Sequence, residues 1–413
     1  MRAQRTAALL AATTMVVALG ACANDSTTGT TGTPEPVTIT FQEQFNDAQT
    51  AAIEKLVPKF EAENPGIKVE LLRDNDDAFY DKLVTQITAG QGPDLVRVDP
   101  AKAPQYIASG WAVPLGDVVG NSSDYFPAAL DAVTKDGELY GVPLDVEALA
   151  LFYRSDLLAA AGYDAAPTTW AEFTEVANAL TKDGNYGAAL FGGWGAFEFY
   201  PWLWQSGAEM LNADGTKAVF NSPEAVSSLQ LWVDLQASAM PPGMATAAED
   251  EVKGPFVSGN VAMFTSGPWT IPALQEAGID GKWAVAPMPA GQTEATVLGG
   301  MDLLVLDNSK HQEEAKTFIG WLMKDANVKQ YYQEIGGLPA KVALFDDPTF
   351  ADDPFVSQFK SVLEQAKSRP AVAASNDVDA ALGEAVQAAL AGTQTPKEAL
   401  DAAVAKANEA LSE

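Results

Sequence analysis

The chain predicts an α/β protein built as two lobes. Three observations carry that reading. Strand-like and helix-like stretches alternate from residue 37 onward, the pattern of a sheet layered with helices. The strand candidates are short and separated by helical spacing, so neighbouring strands are expected to run largely parallel. About 380 residues follow a polar N-terminal stretch, more than one ordinary domain holds.

Val37-Thr38-Ile39-Thr40-Phe41 alternates as a strand does. Ile53, Leu56, Val57 and Phe60 then fall at i, i+3, i+4 and i+7, on one helix face. Asn64-Pro65-Gly66 ends that helix. Residues 67–72 read as a second strand, 79–87 as a second helix and Gly90-Gln91-Gly92-Pro93 as a turn into a third strand at 95–98. Ligands of such sheets sit beyond the carboxyl ends of the strands. Two places follow: residues 42–47 and Asp99.

A second lobe starts near Leu144. Residues 148–153 form a strongly apolar strand, followed by a helix at 156–161. Thr169 and Glu172 stand at capping-box spacing and start another helix. Residues 223–237 place Val226, Leu229, Trp232, Val233 and Gln236 along one side of a helix, and 396–411 read as an alanine-rich surface helix. No internal repeat is visible.

Apolar residues make up 47% of the chain, enough for a sizeable core. The single cysteine, Cys22, leaves the fold without an internal disulfide, so packing must hold it together. The formal charge is −30, from 55 acidic and 25 basic residues. That balance argues against nucleic acid and against adhesion to anionic lipid. Acidic residues on solvated helix faces account for it, and a cationic ligand is the other reading.

Arg2 and Arg5 precede an apolar or small run over residues 6–19, too short to span a bilayer. Leu19-Gly20-Ala21-Cys22 follows and resembles the lipobox of bacterial lipoproteins. That resemblance implies a signal peptide at 1–21 and a lipid on Cys22, the first residue of the mature chain. Residues 22–35 then form the lipidated cysteine and a flexible tether, since residues 23–34 hold no large apolar side chain. Each lipid chain contributes about 0.8 kcal/mol per buried CH₂, so two or three hold the protein on the outer membrane face.

Catalytic motifs are scarce. The only histidine, His311, sits in a polar helix start and is expected to face solvent. One His and one lipid-committed Cys leave no His/Cys metal site and no Ser-His-Asp or Cys-His nucleophile. Gly-Lys-Ser/Thr phosphate loops and Rossmann glycines are absent. The run Asp74-Asn75-Asp76-Asp77 lacks the glycine of a calcium loop, with Phe79 in its place, and reads as a solvated turn. Nothing marks out one carboxylate pair for glycoside hydrolysis. The expectation is a protein that is not an enzyme and needs no metal or cofactor.

Aromatic residues say more. Nine tryptophans are present, three of them between Gly192 and Trp204. Flat apolar rings stack on the C–H faces of sugars, while carboxylates and amides bond the hydroxyls. Trp194, in a glycine-flanked loop, is a candidate platform or a core residue. Trp202 and Trp204 are expected to pack in a helix, and Trp269 to face the ligand.

Ordered segments together resemble the extracellular solute-binding proteins of ABC sugar importers, a group that includes maltose- and trehalose-binding proteins. They are Phe60-Glu61-Ala62-Glu63-Asn64-Pro65-Gly66, Gly92-Pro93-Asp94-Leu95 with Asp99, and Ile107-Ala108-Ser109-Gly110-Trp111. Tyr140-Gly141-Val142-Pro143, Phe152-Tyr153-Arg154-Ser155-Asp156 and Pro167-Thr168-Thr169-Trp170 follow. Phe256-Val257-Ser258-Gly259-Asn260, Gly267-Pro268-Trp269 and Leu298-Gly299-Gly300 complete the set, which spans nearly all of the chain after the tether.

The resemblance implies two α/β lobes joined by crossover strands, a periplasmic-binding-protein-like fold that closes like a hinge on a central cleft. Lobe one would take 36–145 plus 265–324, and lobe two 146–264 plus 325–413. The implied function is a membrane-anchored extracellular receptor that binds a mono- or oligosaccharide and delivers it to an ABC importer. Its partners would be the sugar, the importer's membrane subunits and, through Cys22, the membrane, with the receptor itself a monomer. The alternatives are the same fold binding a non-sugar such as a polyamine, or an extracellular glycosidase.

Cleft positions carry over one at a time. Asp99 matches a carboxylate at the end of the third strand, with capping of the next helix as its other reading. Asp145 and Glu147 lie on the crossover, where relatives place an aromatic and a carboxylate, so Glu147 is the better match. Gly299 and Gly300 match backbone close to the ligand, or else form a tight turn. Arg369 matches an arginine reaching the cleft, whose five donors suit hydroxyl pairs. Met301-Asp302 stands where the trehalose/maltose binders have a Trp, Gly267 replaces another Trp, and an arginine of the second helix is replaced near Phe79-Tyr80. These departures remove stacking surface and add Asp302 as a hydroxyl acceptor. They point away from maltose and trehalose and leave a sugar.

Overall fold

A computed structural model describes residues 35–44, 47–74 and 78–412. The expected signal, Cys22, the tether up to Pro34 and most of the 74–77 turn lie outside the described residues.

Strand β1 (Val37–Glu43) leads into helix α1 (Asp47–Glu63), which buries Ile53, Leu56 and Phe60 on one face as the spacing predicts. Strand β2 (Ile67–Arg73), helix α2 (Phe79–Thr88) and strand β3 (Leu95–Val98) complete a parallel trio with β1 in the middle. The sheet then departs from the parallel expectation. Strands β4 (Val142–Ala148) and β5 (Ala150–Tyr153) are separated by Leu149 alone. β4 belongs to the large sheet, while β5 pairs with β6 (Met263–Ser266) and β7 (Ala284–Ala286) in a small antiparallel sheet. Leu149 is therefore where the chain crosses between lobes.

The long strand β8 (Thr296–Val305) returns from the small-sheet lobe and inserts between β4 and β3, antiparallel to both. The order β9-β4-β8-β3-β1-β2 follows, with β9 (Leu338–Pro339) on one edge and β10 (Ala366–Lys367) beside the far end of β8. A strand that comes back from the other lobe enters from the opposite end, which is why this half of the sheet is antiparallel. Thr296 Oγ1 donates to the Leu149 carbonyl at 2.6 Å, tying the two crossings together.

β6 and β7 pair with β5 in the small sheet. Helix α3 (Asp325–Ile335) packs on α1, where Lys55 meets Glu334 at 2.7 Å. Pairings across more than a hundred residues leave no local pattern to read.

The second lobe gathers helices around Trp202 and Trp232, both fully buried. The helix Trp170–Leu180 starts as the capping spacing predicts, with Thr169 Oγ1 accepting from the Glu172 N–H. In the helix Pro223–Ser238, Leu229, Trp232 and Leu235 are buried, with Val226, Val233 and Gln236 half-buried beside them. The helix Ser375–Leu390 and the C-terminal helix Pro396–Ala410 pack on each other and both on it.

Candidate functional site

The site forms where the carboxyl end of β3 meets β4, β8 and the second lobe. Strand alternation sends Asp145 and Glu147 to the same face of β4. In the register, Asp145 stands opposite Met301, and Glu147 opposite Gly299. Asp302 follows a register shift between Met301 and Asp302 and lies opposite Val98, the residue before Asp99. Asp99 and Asp145 interact electrostatically with Glu147 on one side and with Asp302 on the other. Met301 is half-buried beside them.

Gly299 and Gly300 lie within β8 and form no turn. Gly300 has φ +116, and a Cβ there would come within 2.3 Å of the Asp145 carbonyl. Only glycine adopts that backbone cheaply. A Cβ on Gly299 would approach the Phe197 ring at 3.2 Å, so this stretch lies against the second lobe's aromatic loop.

That loop supplies the other wall. Trp194 is 38% exposed, its ring 5.8 Å from that of Trp269. Phe197 lies 6.3 Å from Trp269 on the same wall. The Trp269 indole N–H donates to Glu249 at 3.0 Å, and Ser266 Oγ donates to the other Glu249 oxygen at 2.5 Å. Gly267 makes room for Trp269: a Cβ at that position would fall 1.9 Å from the ring. Thr265 Oγ1 donates to Glu198 at 2.5 Å, and burial pushes the Glu198 carboxyl well above its usual range.

Arg369 spans the lobes. Its guanidinium pairs with Asp99 of the first lobe and, at 3.4 Å, with Asp379 of the second, 5.4 Å above the Phe197 ring. Burial works against its charge, and the two aspartates outweigh it. Ser375 Oγ donates to the Ala101 carbonyl at 2.7 Å, and the Asn376 amide to Gln105 Oε1 at 2.7 Å. These contacts hold the lobes together. Asp99 caps nearby backbone as well, accepting from the Ala101 N–H at 2.7 Å, while its own N–H donates to Tyr80 Oη at 3.0 Å. Tyr80 therefore props Asp99.

The electrostatics are strongly acidic. Burial raises the Asp145 carboxyl although Arg97 stands 3.8 Å away. Glu147 is pushed up to about 8, first by burial and then by Asp145. Asp302 is raised well above its usual range by burial, with Asp99 and Asp145 adding to the effect. Arg97, Phe197, Glu198, Glu249 and Asp379 were missed from sequence. Arg97 had a readable signal: a charge inside Leu95-Val96-Arg97-Val98, where all four residues are buried.

A cavity of about 340 Å³ opens at the rim of this site between Lys102, Trp194, Phe197, Arg369 and Asp379. A larger one, about 720 Å³, lies between Phe126, Asp131, Trp204 and Lys367 and holds none of the expected site residues. Among the described residues no helix is long and apolar enough to cross a membrane, and no group of His, Cys, Asp and Glu could hold a metal ion.

The family model for bacterial extracellular solute-binding proteins matches residues 46–329. A binding protein of Brucella abortus is 28% identical over 367 residues, covering 87% of this chain and 89% of its own. A solute-binding protein of an ABC transporter from Thermotoga lettingae, solved with α-D-tagatose, aligns with TM-score 0.81 at 28% identity. That alignment covers 91% of this chain and 99% of the other. Maltose-bound MalE3 of T. maritima gives the same TM-score, identity and coverage.

Proposed function

Because the chain belongs to the bacterial extracellular solute-binding proteins, we propose that it is a receptor that closes two lobes around a mono- or oligosaccharide and delivers it to an ABC importer. One observation supports the sugar: Phe197, on the wall with Trp194 and Trp269, lies beside Gly299, the partner of Glu147, and under Arg369, which pairs with Asp99. Rings offer a surface for the C–H faces of a pyranose, and carboxylates accept from its hydroxyls. Arg369 adds donors and joins the lobes, so a ligand bonded to it is held in the closed form. The tagatose- and maltose-bound structures support the same class of solute.

Hinge motion is assigned to Leu149 and to the segment between β7 and β8, where the chain changes sheet. Lipid on Cys22 would keep the receptor beside its transporter. The test is calorimetry of the mature protein against a broad sugar panel, with Asp99→Ala and Trp269→Ala as controls. Micromolar or tighter binding, about −8 kcal/mol or beyond, is expected for one sugar. Absence of heat and of thermal stabilisation across the panel refutes the reading. Release of the protein from membranes by Cys22→Ser tests the anchor.

A further inference from the structure

Arg369 must part from one of its two carboxylates when the lobes separate. Asp99 stays with the first lobe, fixed by the Ala101 N–H at 2.7 Å and by its own N–H on Tyr80 Oη at 3.0 Å. The second lobe holds more of the arginine. Asp379 pairs with it at 3.4 Å, and the Phe197 ring centre lies 5.4 Å from the guanidinium. Asp379 is itself anchored: Tyr200 Oη donates to its Oδ1, which leaves Oδ2 for Arg369. Tyr200 is fully buried, and its ring packs on Trp204 with centroids 4.8 Å apart. The same tryptophan lies 5.6 Å from the Lys367 ammonium, which pairs with Glu209 at 3.1 Å. Lys367 and Arg369 are thus both gripped by the second lobe, while Ser368 between them donates to Asp131 of the first at 2.7 Å.

Resting on the receptor reading, we infer that Arg369 travels with the second lobe when the cleft opens, and that Tyr200, acting through Asp379, is the positioning residue that keeps it aimed at Asp99 and the solute. An arginine released from Asp99 without such a hold samples many rotamers, and ordering it again at capture costs affinity. A carboxylate with one oxygen on a phenol and the other on a guanidinium has a fixed orientation, and a planar guanidinium over an aromatic face has little freedom to turn. Full burial keeps Tyr200 itself from touching the solute. Tyr200→Phe leaves the packing on Trp204 in place and takes from Asp379 Oδ1 its donor.

The arginines after Cys22 are Arg73, Arg97, Arg154 and Arg369. The Nε–H signal of Arg369 is therefore assigned in NMR spectra of arginine-labelled mature protein by its loss in Arg369→Lys. In the ligand-free protein that signal should stay sharp in Asp99→Asn and broaden in Tyr200→Phe. Broadening in Asp99→Asn, or a sharp signal in Tyr200→Phe, overturns the inference whatever the solute is. Calorimetry with the sugar that the panel selects supplies the second readout. Tyr200→Phe should weaken binding about fivefold in the parent and less than about twofold in Arg369→Ala, because the tyrosine acts only through that arginine. Equal losses in both backgrounds mark a merely structural role and overturn the inference. Asp379→Asn repeats both measurements should Tyr200→Phe fail to fold. A panel with no ligand refutes the receptor reading, and the NMR pattern alone then decides which lobe holds Arg369.

Discussion

Glu147 holds its proton in the folded chain to about pH 8, against an ordinary glutamate value of 4.5. Burial is the main cause, Asp145 adds to it and Arg97 opposes it. As pH rises, the unfolded chain loses this proton first. Between about pH 4.5 and 8 the folded state therefore binds more protons, and stability falls with rising pH. One pH unit of that window is worth about 1.4 kcal/mol for a single group. Solvent reaches the partly exposed side chain, so about 2–3 kcal/mol is expected from pH 5 to pH 8. Unfolding entropy of about 2.1 cal/mol/K per residue gives about 0.8 kcal/mol/K for this chain, so the shift is about 3–4 °C. Glu147→Gln keeps the shape and removes the proton. Ligand-free melts of both proteins from pH 5 to 8 should show the variant gaining 3–4 °C on the parent as pH rises. Parallel curves would refute a strained carboxyl at this position.

Gly300→Ala should cost about 2 kcal/mol or more in chemical denaturation, given its φ and the Asp145 carbonyl, and Gly299→Ala clearly less. Trp269→Ala should weaken sugar binding by about 1–3 kcal/mol in calorimetry, since it removes a stacking face. Arg369→Ala should lower affinity tenfold or more and enlarge the radius of gyration in X-ray scattering with ligand present, because the Asp99 and Asp379 pairs are lost. A hundredfold ligand excess over Kd should add about 2.7 kcal/mol, near 3 °C in the melt.

Local pattern was enough for β1 to β3, for α1 and for the Thr169 cap, because periodicity and capping act over a few residues. Asp145 and Glu147 came from the resemblance, and alternation along β4 puts them on one face. What failed depends on distant partners. No local feature of Ala284-Val285-Ala286 tells that it joins Leu151 to Tyr153, and the helix after Lys324 has no mark tying it to α1. Phe197 and Glu198 sit in a segment rich in aromatics, where Phe199, Tyr200, Trp202 and Trp204 are buried and Trp194 is exposed. Their roles separate only when Thr265 and Arg369 arrive from remote parts of the chain.

The polar links between the lobes explain why such a cleft needs its solute. Arg369–Asp99, Ser375–Ala101, Asn376–Gln105 and Ser368–Asp131 all join first-lobe residues to the segment 368–376. Each exchanges a bond to water for a bond within the protein, so its net contribution is about 0.5–1.5 kcal/mol. Against them stand carboxyls whose ionised form burial disfavours, Asp302 among them. A solute that bonds those carboxyls in the closed form alone removes the opposing part and shifts the balance by its differential affinity.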